Sequence, residues 1–232
     1  MENKTRWILI IVSIVIVLLL IANHKSWSLD YREKMKENKI SEEYIKETSI
    51  FNYKSDSILS INTTLYDEHS LINSIKNIGD YVYYNVNYLD TEETCEGISA
   101  SDIIERRKGL CSTQAKLDVA LLRSMGIASR PVLGCRKLTS TCSKTFAVFQ
   151  DRPPKVRPIK EKDGFVLSRG GLHTWVEIWL PDKGWVILEP TNGLIYDIDC
   201  QDYKTYLINP NDFNICGLYS SDPFIKECGD FQ

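Results

Sequence analysis

The chain carries no excess of positive charge: 28 Lys and Arg stand against 31 Asp and Glu, a net charge of −3, which gives no hint of nucleic-acid binding. No zinc-finger spacing and no phosphate-binding loop appears. No two cysteines stand in a CxxC pair, so a zinc site lacks its usual support. The acidic residues Asp197, Asp199 and Asp202 lack the loop pattern of an EF-hand. No metal or other cofactor is therefore expected. There is no internal repeat, which excludes solenoids and propellers. What remains is 232 residues, 43% of them hydrophobic, enough for one globular domain behind an apolar N-terminal segment.

The most informative stretch is Arg106-Arg107-Lys108-Gly109-Leu110-Cys111, continuing to Gly126. From Ser112 onward it predicts an amphipathic helix, with Ala115, Val119 and Leu122 at helical spacing and Leu121 and Met125 widening the stripe. Gly126 stops it where a helix end favours glycine. Cys111 then falls at or just before the first turn. Unpaired amide N–H groups and the positive end of the helix dipole favour the thiolate there, the form that attacks carbonyls.

Two β-rich runs flank the turn Pro181-Asp182-Lys183-Gly184, the signature of a hairpin. His173 opens the first run and Glu189 nearly closes the second. Pairing symmetric about Pro181 sets them directly opposite on one face. The carboxylate would then hold one imidazole nitrogen and leave the other for Cys111. A one-residue bulge would instead send Glu189 to the other face.

These blocks, Lys108-Gly-Leu-Cys111, Gly126 to Gly134, and His173-Thr-Trp-Val-Glu followed by Gly184-Trp185 to Thr191, resemble the transglutaminase-like branch of the papain-like thiol enzymes over roughly residues 72–192. The resemblance implies an α+β core in which a cysteine-bearing helix packs on an antiparallel sheet. It makes Cys111 the nucleophile, His173 the base and Glu189 the orienting acid, where the family normally has aspartate. It implies acyl transfer through a Cys111 thioester on a glutamine side chain or a peptide bond of a protein or peptide substrate. Hydrolysis is ranked ahead of cross-linking to a lysine amine; a fold-bearing but silent binding module is the third reading. In related enzymes an upstream side chain completes the oxyanion hole, a role open to Tyr83, Tyr84 or Asn85.

The apolar run 7–22 follows Lys4 and Arg6 and precedes His24-Lys25. As a helix of about 1.5 Å per residue it spans roughly 24 Å, slightly short of the ~30 Å hydrocarbon core. Trp7 and Trp27 are placed to anchor at the interfaces. Leu20-Ile21-Ala22 is a poor cleavage site, so a single-pass transmembrane anchor is expected rather than a signal peptide. Lys25, Arg32, Lys34, Lys36 and Lys39 would keep the domain cytoplasmic by the positive-inside rule. Six cysteines besides Cys111 point the other way: Cys95, Cys135, Cys142, Cys200, Cys216 and Cys228 suit disulfides in an extracytoplasmic domain, Cys135–Cys142 being a local candidate. We follow the cysteines.

The expected plan is a flank over 1–6, the anchor over 7–22, a polar membrane-proximal stalk over 23–66, the catalytic core over 67–193 and a cysteine-containing extension over 194–232. Within the core, 68–78 reads as a helix, 101–105 as a short capped helix, and 129–134 and 146–149 as strands. A proline-rich basic loop, 151–160, stands between the nucleophile and His173. Trp175, Trp179 and Trp185 are expected mainly in the core and on the hairpin face, with Trp175 also able to wall the acyl site. Asn62-Thr63-Thr64 is a glycosylation sequon.

Overall fold

The computed structural model describes residues 27–88, 98–136, 171–198 and 203–208, together with Val12, Ile14 and Asn211. Helix α1 (Trp27–Glu37) buries only Tyr31 and Met35, one turn apart. The Tyr31 hydroxyl donates to the Trp179 carbonyl at 2.8 Å and accepts from the Ala128 N–H at 3.0 Å, fastening α1 to the body of the protein. A 3-10 turn (Glu42–Ile45) and the fully buried Phe51 lead into α2 (Asp56–Leu65), which buries Ile58. Side chains such as these contribute about 1.5–3 kcal/mol each by leaving water. The stalk expected over 23–66 is corrected accordingly: from Trp27 onward this segment is a collar folded against the core. Its apolar contacts fall at helical spacing in two short runs, Trp27, Tyr31 and Met35 on α1 and Ile58, Ile61 and Leu65 on α2. Asn62 of the sequon lies inside α2, half-buried.

Helix α3 (Leu71–Asn85) starts at Ser70, whose hydroxyl accepts from the Asn73 N–H, and buries Ile75, Ile78, Gly79 and Val82 at helical spacing. It begins and ends later than expected and takes in Tyr81 to Asn85. A two-residue strand β1 (Asn87–Tyr88) follows. Helix α4 (Ala100–Arg106) is closed at its start by a capping box between Ser99 and Asp102. Strand β2 (Lys108–Gly109) then pairs in parallel with β1.

Helix α5 (Cys111–Ser124) is central. Every residue from Cys111 to Arg123 is buried, so it is wrapped on all sides rather than amphipathic. It stops as expected at Gly126, with the Ile127 N–H on the Leu122 carbonyl and the Gly126 N–H on the Arg123 carbonyl.

The remaining strands, β3 (Ser129–Arg136), β4 (Gly171–Leu180), β5 (Gly184–Glu189), β6 (Leu194–Asp197) and β7 (Tyr203–Ile208), form an antiparallel sheet in the order β6-β5-β4-β3-β7. Alternation divides its side chains. Val176, Ile178, Leu188 and Ile195 join the core around α5, while Val132, Trp175, Ile187 and Tyr196 form a smaller cluster. Strands β6 and β7 form the two sheet edges, so the described part of the extension expected after 194 completes the sheet itself.

Cys135 is disulfide-bonded. Its expected partner Cys142 lies outside the described residues, as do Cys95, Cys200, Cys216, Cys228, Asp199, Asp202, the strand at 146–149 and the loop at 151–160. Among the described residues no helix is long and apolar enough to cross a membrane; of the run 7–22 only Val12 and Ile14 are described.

Candidate active site

Cys111 is the first residue of α5, next to the β1–β2 pair. Gly109 is required there: a Cβ on it would lie 2.3 Å from Thr113 Cγ2. The Leu110 side chain gives no cap, so the first-turn N–H groups retain their capacity to stabilise negative charge at the cysteine. Gln114, one turn on, donates from Nε2 to the Val86 carbonyl at 3.0 Å and so fastens the start of α5 to the segment that becomes β1.

His173 comes from the start of β4 and Glu189 from the end of β5. The imidazole Nε2 lies 2.9 and 2.8 Å from the two Glu189 oxygens. Nε2 being committed there, Nδ1 is the nitrogen that meets the thiol, which hydrogen-bonds the imidazole and the Thr174 backbone N–H. The pairing differs in detail from expectation. Trp179 pairs with Trp185 and Val176 with Leu188, so the hairpin is centred on Asp182, not Pro181. One further step sets Glu189 opposite Trp175, diagonal to His173. The pairing has slipped by two positions, an even number, which keeps Glu189 on the face of His173. Diagonal neighbours stand ~7–8 Å apart and need a long side chain to meet. Glutamate supplies that reach.

Glu189 has no solvent exposure, and the His173 side chain is 13% exposed. Glu189 Oε1 also accepts from the Thr191 N–H at 3.1 Å and the Thr191 hydroxyl at 2.6 Å. The Gly193 N–H closes the same turn onto the Glu189 carbonyl at 2.8 Å. Helix α3 lies close against this turn at Gly79, where a Cβ would meet the Gly193 carbonyl oxygen at 3.1 Å and Leu188 Cδ1 at 3.2 Å.

Burial pushes the Cys111 thiol up, yet the charge and hydrogen bond of His173, helped by the Thr174 N–H, hold it below its ordinary value. Burial pulls the imidazolium down, but the charges of Glu189 and Cys111 raise His173 to about 9. Both shifts favour a thiolate–imidazolium pair at neutral pH. Asp118, two turns below Cys111 on α5, is fully buried with neither oxygen hydrogen-bonded. Burial, then the charge of Glu189, raises its carboxyl well above the usual range.

Trp175 is fully buried and stacks on His173 with ring centroids 6.4 Å apart, so it backs the imidazole rather than walling an open site. Tyr83 and Tyr84 pack edge to face at the end of α3, Tyr84 being exposed, and the Asn85 amide turns back to the Tyr81 carbonyl. Thr191 and Asp118 were not singled out from sequence. Thr191 could have been found as a hydroxyl two residues beyond the acid; Asp118 carries no signal that separates it from a solvent-facing helix residue. Among the described residues no group of three or more His, Cys, Asp or Glu could hold a metal ion.

A thiol at a helix N-terminus, an imidazole on the adjoining strand and a carboxylate behind it are the parts of a cysteine–histidine–acid arrangement. The family model of the transglutaminase-like superfamily matches residues 60–190, and the chain belongs to that superfamily. The mixed helix-and-sheet fold agrees with it. The chain is 29% identical over 182 residues to the uncharacterized protein YebA of Bacillus subtilis, a match covering 74% of this chain and 22% of YebA. Among solved structures, a candidate cysteine protease from Cytophaga hutchinsonii is 19% identical, with a TM-score of 0.44, covering 72% of this chain and 53% of that one. Red sea bream transglutaminase is 16% identical, with a TM-score of 0.42, covering 61% of this chain and 27% of that one.

Proposed function

We propose that the protein is a membrane-anchored cysteine enzyme that transfers acyl groups through a Cys111 thioester. The observation that carries this reading is the hydrogen-bonded series Cys111, His173, Glu189 at the start of α5. The Cys111 thiolate attacks a carboxamide carbon, of a glutamine side chain or a peptide bond, and forms the C–S bond. The C–N bond breaks as His173 gives its Nδ1 proton to the departing ammonia or amine. Glu189, held by Thr191, keeps the imidazole oriented and balances its positive charge. His173 then takes a proton from the acceptor, the acceptor attacks the thioester, and the C–S bond breaks to restore the thiolate. Water as acceptor gives a hydrolase, which we rank ahead of transfer to a lysine amine.

The run 7–22, with its flanking charges and Trp7, supports a bilayer anchor; Trp27, expected at the other interface, instead packs on Tyr31 and Tyr66 and donates to the Asp67 carbonyl. The disulfide at Cys135 supports an extracytoplasmic catalytic domain. The test is intact-mass spectrometry after exposure to glutamine-containing peptides, with and without a primary amine. Cleaved or deamidated peptides and a transient Cys111 acyl adduct are expected. Amine-coupled peptides would make it a cross-linking transferase, a reactive thiol with no adduct and no product would point to a narrow substrate, and a thiol with no reactivity would leave the silent binding module.

A further inference from the structure

The chain enters the candidate site through three consecutive exposed cations, Arg106, Arg107 and Lys108. Their backbone is firmly held. Arg107 adopts the left-handed conformation (φ 51) as it closes α4, its N–H on the Ile103 carbonyl at 2.8 Å, and its own carbonyl accepts from the Asn87 N–H at 2.8 Å. Lys108 and Gly109 then pair with Asn87 and Tyr88. Gln114 locks the residue before Asn87 to the first turns of α5. Three Cα–Cα steps separate Lys108 from Cys111, so their Cα atoms lie no more than about 11 Å apart.

Among the described residues none of the three cations is in an ion pair. Asp102, the carboxylate on which Arg106 acts, is already engaged by the Ser99 N–H and hydroxyl of its capping box. Glu105 is exposed beside them, leaving the stretch 105–108 with two net positive charges. Behind this lip, the thiolate, imidazolium and carboxylate sum to one net negative charge. The buried charges would repel a negatively charged substrate, and the exposed stretch 105–108 offsets that repulsion.

We propose that Arg106, Arg107 and Lys108 form an anion-selecting lip, so that the preferred substrate is a polypeptide carrying carboxylates beside the reacting amide. This rests on Cys111 being the reactive thiol of the proposed enzyme, but its test does not require turnover. In the full-length chain, alkylation of Cys111 by anionic iodoacetate and by neutral iodoacetamide is timed by mass spectrometry of the Cys111 peptide. The rate ratio is then normalised to that of a small free thiol.

Reversing two exposed charges at about 10 Å in water, in Arg106→Glu/Lys108→Glu, should lower the ratio about tenfold at low salt. The effect should shrink to roughly threefold at 0.15 M ionic strength. Lys108→Gln should lower the ratio less, in the same direction, and guards against a folding defect in the double variant. Glutamine peptides flanked by Asp or Glu should protect Cys111 from iodoacetamide at lower concentration than the same peptides flanked by Lys. Equal protection by both peptide sets, or a ratio unmoved by the substitutions and by salt, overturns the proposal. Selective protection by acidic peptides that are never turned over would uphold the lip while refuting the acyl-transfer reading.

Discussion

Two ionisable side chains of α5, five residues apart and both out of contact with solvent, are treated in opposite ways. Arg123, near the C-terminal end, has a partner for each of its three nitrogens. Nε and one Nη reach the Ser129 carbonyl at 3.2 and 2.9 Å, and the other Nη reaches the Lys46 carbonyl at 2.8 Å. Its guanidinium also lies over the Phe51 ring, 4.8 Å from the centroid. Burial lowers it to about 10, which still leaves it charged at neutral pH, where a cation suits the end of a helix. Asp118 has no hydrogen-bond partner on either oxygen and lies within the influence of Glu189. The C-terminal end of the helix uses its polar group to hold the collar; the middle keeps an unsatisfied acid within the influence of Glu189. The satisfied group reads as architecture, and the unsatisfied one lies near the chemistry.

The contrast can be broken most severely at Glu189. Glu189→Gln keeps an oxygen for Thr191 but turns an amide N–H toward Nε2, so the proton moves to the wrong nitrogen. Turnover should fall by roughly 10²–10⁴-fold, a larger effect than the accompanying loss of stability, as steady-state kinetics and calorimetry would show. Full activity in this variant would remove Glu189 from the site. Next in size is Arg123→Met, which strands the Ser129 and Lys46 carbonyls and should cost about 2–4 kcal/mol in urea unfolding. In the protein that remains folded, the labelling rate of Cys111 should be unchanged.

Removing the imidazole acts on the thiol. In His173→Ala, alkylation of Cys111 by a neutral electrophile at pH 7 should slow by roughly tenfold or more, and the rate should recover only above the ordinary thiol pKa of about 8.5, because burial then acts with little opposition. Because His173 is raised to about 9, its contribution to stability is complete below about 6.5 and is lost as pH rises through 9. The smallest effect belongs to Asp118. A carboxyl raised in the fold binds a proton that the unfolded chain releases above about 4, so the stability it confers is complete below that pH and falls as pH rises. Asp118→Asn should therefore melt higher than the parent at pH 8, with the difference shrinking toward pH 4. A constant difference across that range would mean that Asp118 is ionised in the fold.

Legibility in the sequence followed the range of the forces involved. Cys111 at a helix start could be read locally, from apolar spacing and the stop at Gly126. The shared face of His173 and Glu189 survived because parity is fixed by the pleat. The register did not, because three residues, Pro181 to Lys183, form the turn and shift its centre by one position. The collar was hidden because α1 is held by two buried side chains and the hydroxyl of Tyr31, whose partners Ala128 and Trp179 are about 100 and 150 residues away in the chain. Lys116, Asp118 and Arg123 read as the solvated side of α5. Only packing from several elements at once buries them.

The docking of α1 sets a length. With the proposed anchor ending at Ala22 and Trp27 already packed in the folded body, the five Cα steps between them can span at most about 18 Å. A stalk of forty residues would let the proposed enzyme patrol a wide hemisphere; a leash this short would confine it to a shallow zone along the bilayer, about one domain deep. Which molecules it modifies would then be decided as much by their distance from the membrane as by their chemistry. Inserting a flexible twenty-residue spacer after Ser26 should extend modification to amides tethered farther out, whereas an unchanged product range would show that the leash does not govern reach.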